Sequence, residues 1–273
     1  MNPPVFAALS VYIYSLLSSV PFIMDTHTPS LYGRRWGWTL PLQRFLAKKA
    51  FVNIIDQERF GRLFDEWGAP SVILERPPLD IGSRLGATYS DASNQKNATF
   101  ASHFHIAVVS TFSSDEPLDV VIQGAARLPD VTFSILGDTD KAPKKLIQNS
   151  PSNVHYPGYL MGSAYWEHLQ SADAIMVLTT FSHSLLGGAQ EGLALGKPLI
   201  LSGQPALTNY FTQGALFIEH DGESIVDAVI KCRENYTRLC AESSALSVIK
   251  RQTWHDTFRT LELTLLDAVK PRK

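Results

Sequence analysis

From residue 104 onward, short apolar runs alternate with amphipathic stretches at a regular beat. The runs at 106–109, 132–136, 154–156, 174–178, 198–201 and 216–218 are the strand candidates. The stretches between them, at 118–127, 144–148, 165–171, 188–195 and 206–211, carry helical spacing, and a long amphipathic stretch runs from residue 223 onward. Alternating strands and helices predict right-handed crossovers and a parallel sheet covered on both faces. In such sheets ligands bind at the carboxyl ends of the strands, near the point where strand order reverses.

The N-terminal part alternates less regularly. Residues 3–24 carry no charge, a length that would suffice to span a bilayer. Tyr12, Tyr14, four serines and Pro21 dilute that hydrophobicity, and no Lys or Arg precedes the run as in a signal peptide. The segment therefore predicts a buried helix at 5–19 followed by a buried strand at 21–25. An amphipathic helix at 40–49 ends in basic residues, which suit its C-terminus. A strand is expected at 51–55. A second helix follows at 57–67, with Phe60, Leu63, Phe64 and Trp67 on one face and Gly68 as its stop. A strand at 71–74 is closed by Pro77-Pro78. Residues 80–102 are rich in Gly, Ser, Asn, Asp and Lys and predict a linker or mobile loop. The expected organisation is thus a first domain at 1–79, the linker at 80–102, a second domain at 103–230 and a helical segment at 231–273.

Composition narrows the partners. The chain has 273 residues, 45% of them apolar and 18% charged, with a formal net charge of -2. That is ample for a packed core, and no basic surplus argues for nucleic acid. Two cysteines, Cys232 and Cys240, make neither a disulfide framework nor a metal site, so a reducing cytoplasm is expected.

The densest candidate chemistry lies at 179–198. A strand ends at Thr179-Thr180, a polar loop follows, and Gly187-Gly188 open a helix that carries Glu191. Paired glycines at a helix N-terminus let a diphosphate approach free backbone N–H groups, where the helix dipole favours anions. A carboxylate one turn further in can accept hydrogen bonds from both hydroxyls of a ribose. The alternative is a tight turn with a dipole-complementing glutamate. Neither a GxGxxG dinucleotide fingerprint nor a GxxxxGK[ST] phosphate loop occurs in the chain.

Three segments in this order and spacing carry a resemblance: 153–159 (NVHYPGY), 172–180 (ADAIMVLTT) and 187–198 (GGAQEGLALGKP), followed by 206–215 and Asp221. The stretch from 104 to 229 resembles the C-terminal domain of retaining glycosyltransferases of family 4, of the GT-B architecture. The resemblance implies two facing Rossmann-like domains with a cleft between them, and transfer of a sugar from a nucleotide-diphosphate donor to a saccharide or lipid-linked acceptor. In that family two glutamates are separated by seven residues; the second binds the donor ribose and the first sits near the donor sugar. Glu191 matches the second, whereas His183 stands at the place of the first. The family also has an Arg and a Lys after the first strand of this domain, and the loop here, 110–116 (STFSSDE), has neither. Either Ser110, Thr111, Thr180, Ser184, the glycines Gly158, Gly187 and Gly188, and backbone groups hold the donor without them, or activity is weak or absent. Transfer of this kind needs no metal in principle, and no DxD motif is present.

Residues 21–29 (PFIMDTHTP) resemble a late strand of the family's acceptor domain and its His-containing loop, which makes His27 the acceptor-side catalytic candidate beside His183. That acceptor domain is about twice as long as the N-terminal part here, so the first domain is expected to be incomplete. A pseudoenzyme that partners a complete transferase and a nucleotide-sugar epimerase of the same fold are the other readings. Asp115 and Glu116 could form a carboxylate pair, but they open a helix and are expected to complement its dipole. His103 and His105 lack a third ligand for a metal. Lys48-Lys49 and Arg34-Arg35 flank Trp36 and Trp38, a solvated helix end or, alternatively, a peripheral contact with acidic lipid head groups.

Overall fold

The structure, a computed structural model, describes residues 5–26, 31, 37–76, 79 and 104–269. The chain forms two compact units, 1–77 with 250–273, and 78–249. Among the described residues no helix is long and apolar enough to cross a membrane.

The first unit opens with α1 (Val5–Ser18), then β1 (Ile23–Thr26), α2 (Leu40–Lys49), β2 (Val52–Ile55), α3 (Glu58–Trp67) and β3 (Ser71–Ile73). The three strands form a parallel sheet in the order β1-β2-β3. Its core gathers Phe22, Met24, Leu46, Ile55, Phe60, Phe64 and Trp67, so the expected apolar face of α3 is the buried one. Buried Asn53 fixes β2 by donating to the carbonyls of Ala47, 2.9 Å, and Pro70, 2.7 Å.

The helix at the N-terminus is present but is not buried. Val5, Ala8, Leu9 and Tyr12, spaced as one helical stripe, pack on the core, and among them only Val5 is buried outright. Leu16 and Leu17 are 64% and 83% exposed. Hydropathy records how poorly a segment suits water, not how many sides the rest of the chain covers, and here one side is covered.

The second unit holds β4 (Phe104–Val109), α4 (Leu118–Ala126), β5 (Val131–Leu136), α5 (Lys144–Gln148), β6 (Val154–Gly158), α6 (Gly162–Ser171), β7 (Ala174–Val177), α7 (Gly187–Ala194), β8 (Leu199–Ser202), α8 (Pro205–Tyr210), β9 (Ala215–Ile218) and α9 (Gly222–Glu234). The final helix, α10 (Tyr236–Val269), begins in this unit and ends in the first. There Trp254 Nε1 donates to the Glu75 carbonyl at 3.0 Å, and Lys250 pairs with the Glu75 carboxylate at 3.2 Å. All strands of the second sheet are parallel, in the order β6-β5-β4-β7-β8-β9. Successive residues of β4 face opposite cores. Ile106 and Val108 pack with Val121 of α4 and Ile225 and Val229 of α9, whereas Ala107 packs with Trp166 and Leu169 of α6 and Ala189 and Leu193 of α7. Burial on both faces is why these strands read as continuous apolar runs.

The sheet also buries a polar pair. His105 is 1% exposed; its Nε2 lies 2.5 Å from Ser134 Oγ, and its backbone N–H donates to Asp173 at 2.9 Å. Burial, with His168 beside it, lowers the His105 imidazole from 6.5 to about 4, and burial lowers His168 as well. Both rings are therefore neutral in the native protein at pH 7. As pH falls below 6.5 the unfolded chain takes up protons that the folded chain refuses, so stability present above 6.5 is lost progressively towards pH 4. For His105 the loss is about 3 kcal/mol across that window. Thermal melts of the parent and of His105→Gln between pH 7.5 and 4 check this. The variant should lose less stability with acidification, and parallel curves would refute the assignment.

Candidate functional site

Strand order places β5 and β6 on one side of β4 and β7, β8 and β9 on the other, so the order in which strands are added reverses between β4 and β7. Loops leaving the carboxyl ends of such neighbours part and leave a crevice. The β4 loop, 110–117, and the β7 loop, 178–186, meet at this point, and the N-terminus of α7 follows directly.

The two loops are tied together by Asp115. Its Oδ2 accepts from Thr179 Oγ1 at 2.7 Å, its Oδ1 from Ser113 Oγ at 2.5 Å, and its carbonyl from the Thr180 N–H at 2.7 Å. Thr179 is fully buried, and its N–H donates to Ser202 Oγ, which also meets His220 Nε2. Glu116 turns back on its own loop. It accepts from Ser110 Oγ at 2.6 Å, from Thr111 Oγ1 at 2.8 Å and from the Thr111 N–H at 3.0 Å. Both carboxylates thus accept from donors of the two loops.

This loop is held in an unfavourable shape. Phe112 adopts φ +57°, a left-handed conformation that bulky residues seldom take, and its N–H donates to Ser110 Oγ at 2.9 Å. The Phe112 ring and the Ser110 carbonyl lie against Gly137, where a Cβ would meet that carbonyl at 2.4 Å.

The two glycines of α7 play different parts. A Cβ on Gly188 would meet Val109 Cγ1 at 2.7 Å, so this glycine lets α7 lie close against β4. Gly187 is exposed, and a Cβ there would meet nothing within 4 Å. The open face is thus at Gly187, where the first N–H groups of the helix have no intrahelical partner. One turn on, Glu191 is half-buried and its Oε2 accepts from Tyr165 Oη of α6 at 2.5 Å. Burial and the neighbouring carboxylate push the Tyr165 phenol well above its usual range, so it stays a donor.

Of the remaining residues singled out in the sequence, Thr180 is exposed and Ser184 half-buried on the β7 loop. His183 lies on the same loop with Nε2 2.8 Å from Ser182 Oγ. Gly158 ends β6 at φ +83°, with open space where its Cβ would be. Ser110 and Thr111 sit at the crevice, but both hydroxyls donate to Glu116. His27 lies outside the described residues, as do Arg34, Arg35, Trp36 and His103. Sequence reasoning missed Tyr165, which carries no local signal because it reaches Glu191 across 26 residues. It also missed the return of Glu116 onto Ser110-Thr111, for which a hydroxyl pair at a strand end with an acid five residues on is the available sign.

By sequence, no protein-family model and no curated protein matches the chain. By structure it is similar to HepE of Anabaena in complex with UDP and glucose, with a TM-score of 0.72 at 16% identity over 94% of this chain and 76% of that one. It is similar to sucrose-phosphate synthase of Thermosynechococcus elongatus, TM-score 0.70, 14% identity, 96% of this chain and 72% of that one. A glycosyltransferase of Rickettsia africae matches with TM-score 0.64 and 12% identity over 100% of this chain and 85% of that one. These likenesses establish the fold: α/β, GT-B-like, with two Rossmann-like parallel-sheet units.

Proposed function

We propose that the second unit binds the nucleoside diphosphate of a sugar donor at the β4–β7 crevice, and that the chain transfers the sugar to a saccharide or lipid-linked acceptor as a retaining glycosyltransferase of the family 4 type. The observation that carries this reading is the α7 terminus, an open Gly187 with the Glu191 carboxylate one turn behind it. The likeness to HepE, solved with UDP-glucose, makes UDP the first nucleotide to try.

In this reading Glu191 Oε1 accepts from the ribose hydroxyls while Tyr165 holds Oε2 in place. The N–H groups at Gly187, with the hydroxyls of Thr180 and Ser184, face the diphosphate, and the open ground at Gly158 admits the nucleoside. Negative charge gathers on the diphosphate as the glycosidic bond breaks, and the positive end of α7 stabilises it in place. His183 stands where the donor sugar would lie, and His27 is the acceptor-side candidate.

Titration calorimetry with UDP and GDP tests the binding. We expect heat with at least one of them; none with either, on protein shown to be folded, would remove the proposal. A second reading has its own observation. The β4 loop presents a carboxylate, Glu116, and no basic side chain, which suits a chain that binds nucleotide without transferring sugar. UDP bound but not released from UDP-glucose in the presence of acceptor sugars would favour that reading.

A further inference from the structure

We propose that Glu116 is a built-in occupant of an anion cradle, so that the crevice as it stands holds the phosphates of its ligand less tightly than the vacated cradle would. This rests on the nucleotide-binding reading above. Three donors converge on the Glu116 carboxylate, namely the Thr111 N–H, the Thr111 hydroxyl and the Ser110 hydroxyl, at 2.6–3.0 Å. Convergent N–H and O–H donors at a strand's carboxyl end are the groups that hold a phosphate oxygen. Here a side chain six residues on already fills them, and it brings its own negative charge.

The surroundings leave the carboxylate room to move. Thr111 is exposed, so a ligand reaches the cradle from solvent. Glu116 also borders a cleft of about 720 Å³ between the loop, α4 and α5, whose wall includes Lys145. That cleft offers room, and Lys145 a cation, to a carboxylate that leaves the cradle. Asp115 keeps the loop anchored to Thr179 and Thr180 meanwhile, so vacating the cradle does not release the crevice wall. Occupied, the cradle offers a diphosphate no donors and a like charge; vacated, it offers three donors.

Calorimetry with uridine and UDP on the parent, Glu116→Gln, Glu116→Ala and the double variant Glu116→Ala/Thr111→Val tests this, with thermal melts to confirm that each is folded. Both single variants should bind UDP about tenfold more tightly than the parent, the scale for removing one like charge near a partly exposed site. Uridine affinity should change less than twofold across the set. The double variant should lose most of the gain, because it lacks one cradle hydroxyl and crowds the cradle with a methyl group. UDP affinity unchanged or weaker in both single variants, with uridine still bound, would make Glu116 a brace of the loop and overturn the inference alone. A gain that survives in the double variant would overturn the cradle and leave only charge repulsion. Absence of any binding, by uridine or UDP, to any of the proteins would overturn the nucleotide site itself and this inference with it.

Discussion

Replacing Glu191 by alanine should weaken nucleotide binding by about 1.5–3 kcal/mol, roughly ten- to 150-fold in Kd, the worth of hydrogen bonds made to a charged group. The carboxylate has two oxygens and the structure spends one of them. Oε2 accepts from Tyr165, and among the described residues no donor meets Oε1. Tyr165 is itself fixed in the core formed by α6, α7 and β7, so the carboxylate is held before any ligand arrives and little ordering entropy remains to be lost on binding. The same hydrogen bond means that the substitution also touches the fold. Tyr165 Oη loses its acceptor in a half-buried position, a cost of about 1 kcal/mol at the low end of the range for an unsatisfied polar group. Glu191→Gln separates the two effects, because its carbonyl oxygen still accepts from Tyr165 while the charge is gone. We expect near-parental melting for Glu191→Gln with affinity between those of the parent and Glu191→Ala. If Glu191→Ala lowers the melting temperature and leaves Kd alone, the residue is a brace for Tyr165 and a dipole partner for α7, and the ribose role is lost.

How much of this was legible beforehand follows from the range of the forces involved. The inner strands of the second unit, β5, β4, β7 and β8, stand out because burial on both faces favours apolar side chains along their length, a local constraint that leaves a continuous run. Their parallel direction follows from the alternation with helices, whereas their order does not. Gly187, Gly188 and Glu191 were visible for a similar reason, since a helix start and its first turn are local. The division of labour between the two glycines was not. It depends on Val109, which reaches Gly188 from the far end of β4. Asp115 finds Thr179 across 64 residues, and Glu191 finds Tyr165 across 26. No spacing rule covers such pairs. The charge at the crevice was half visible: the missing Arg and Lys could be seen in 110–116, but not that Glu116 folds back to take the donors itself. The uncharged N-terminal helix was misread as buried because hydropathy is blind to the number of faces a fold supplies.

That helix leads to the other large effect, self-association of the chain through its first unit. Phe6, Val11, Ile13, Tyr14, Leu16 and Leu17 of α1 are all exposed, Leu17 to 83%, on a helix without a charge. Ile23 is exposed on β1, for which β2 is the one neighbouring strand among the described residues. Uncovered leucines beside this exposed isoleucine offer apolar area to another copy. Each leucine removed from water contributes about 1.5–3 kcal/mol, so covering even two of them outweighs a modest ordering cost. Light scattering on the 273-residue chain should therefore show mass rising with concentration. Leu16→Lys/Leu17→Lys should reduce the association without lowering the melting temperature, because neither side chain belongs to a core. A fragment of residues 78–249 should remain a monomer under the same conditions, since its two hydrophobic clusters close around its own sheet. If the full chain is a monodisperse monomer at every concentration, three strands and an open helix suffice as a domain surface, and the exposed face of α1 has no propensity to associate.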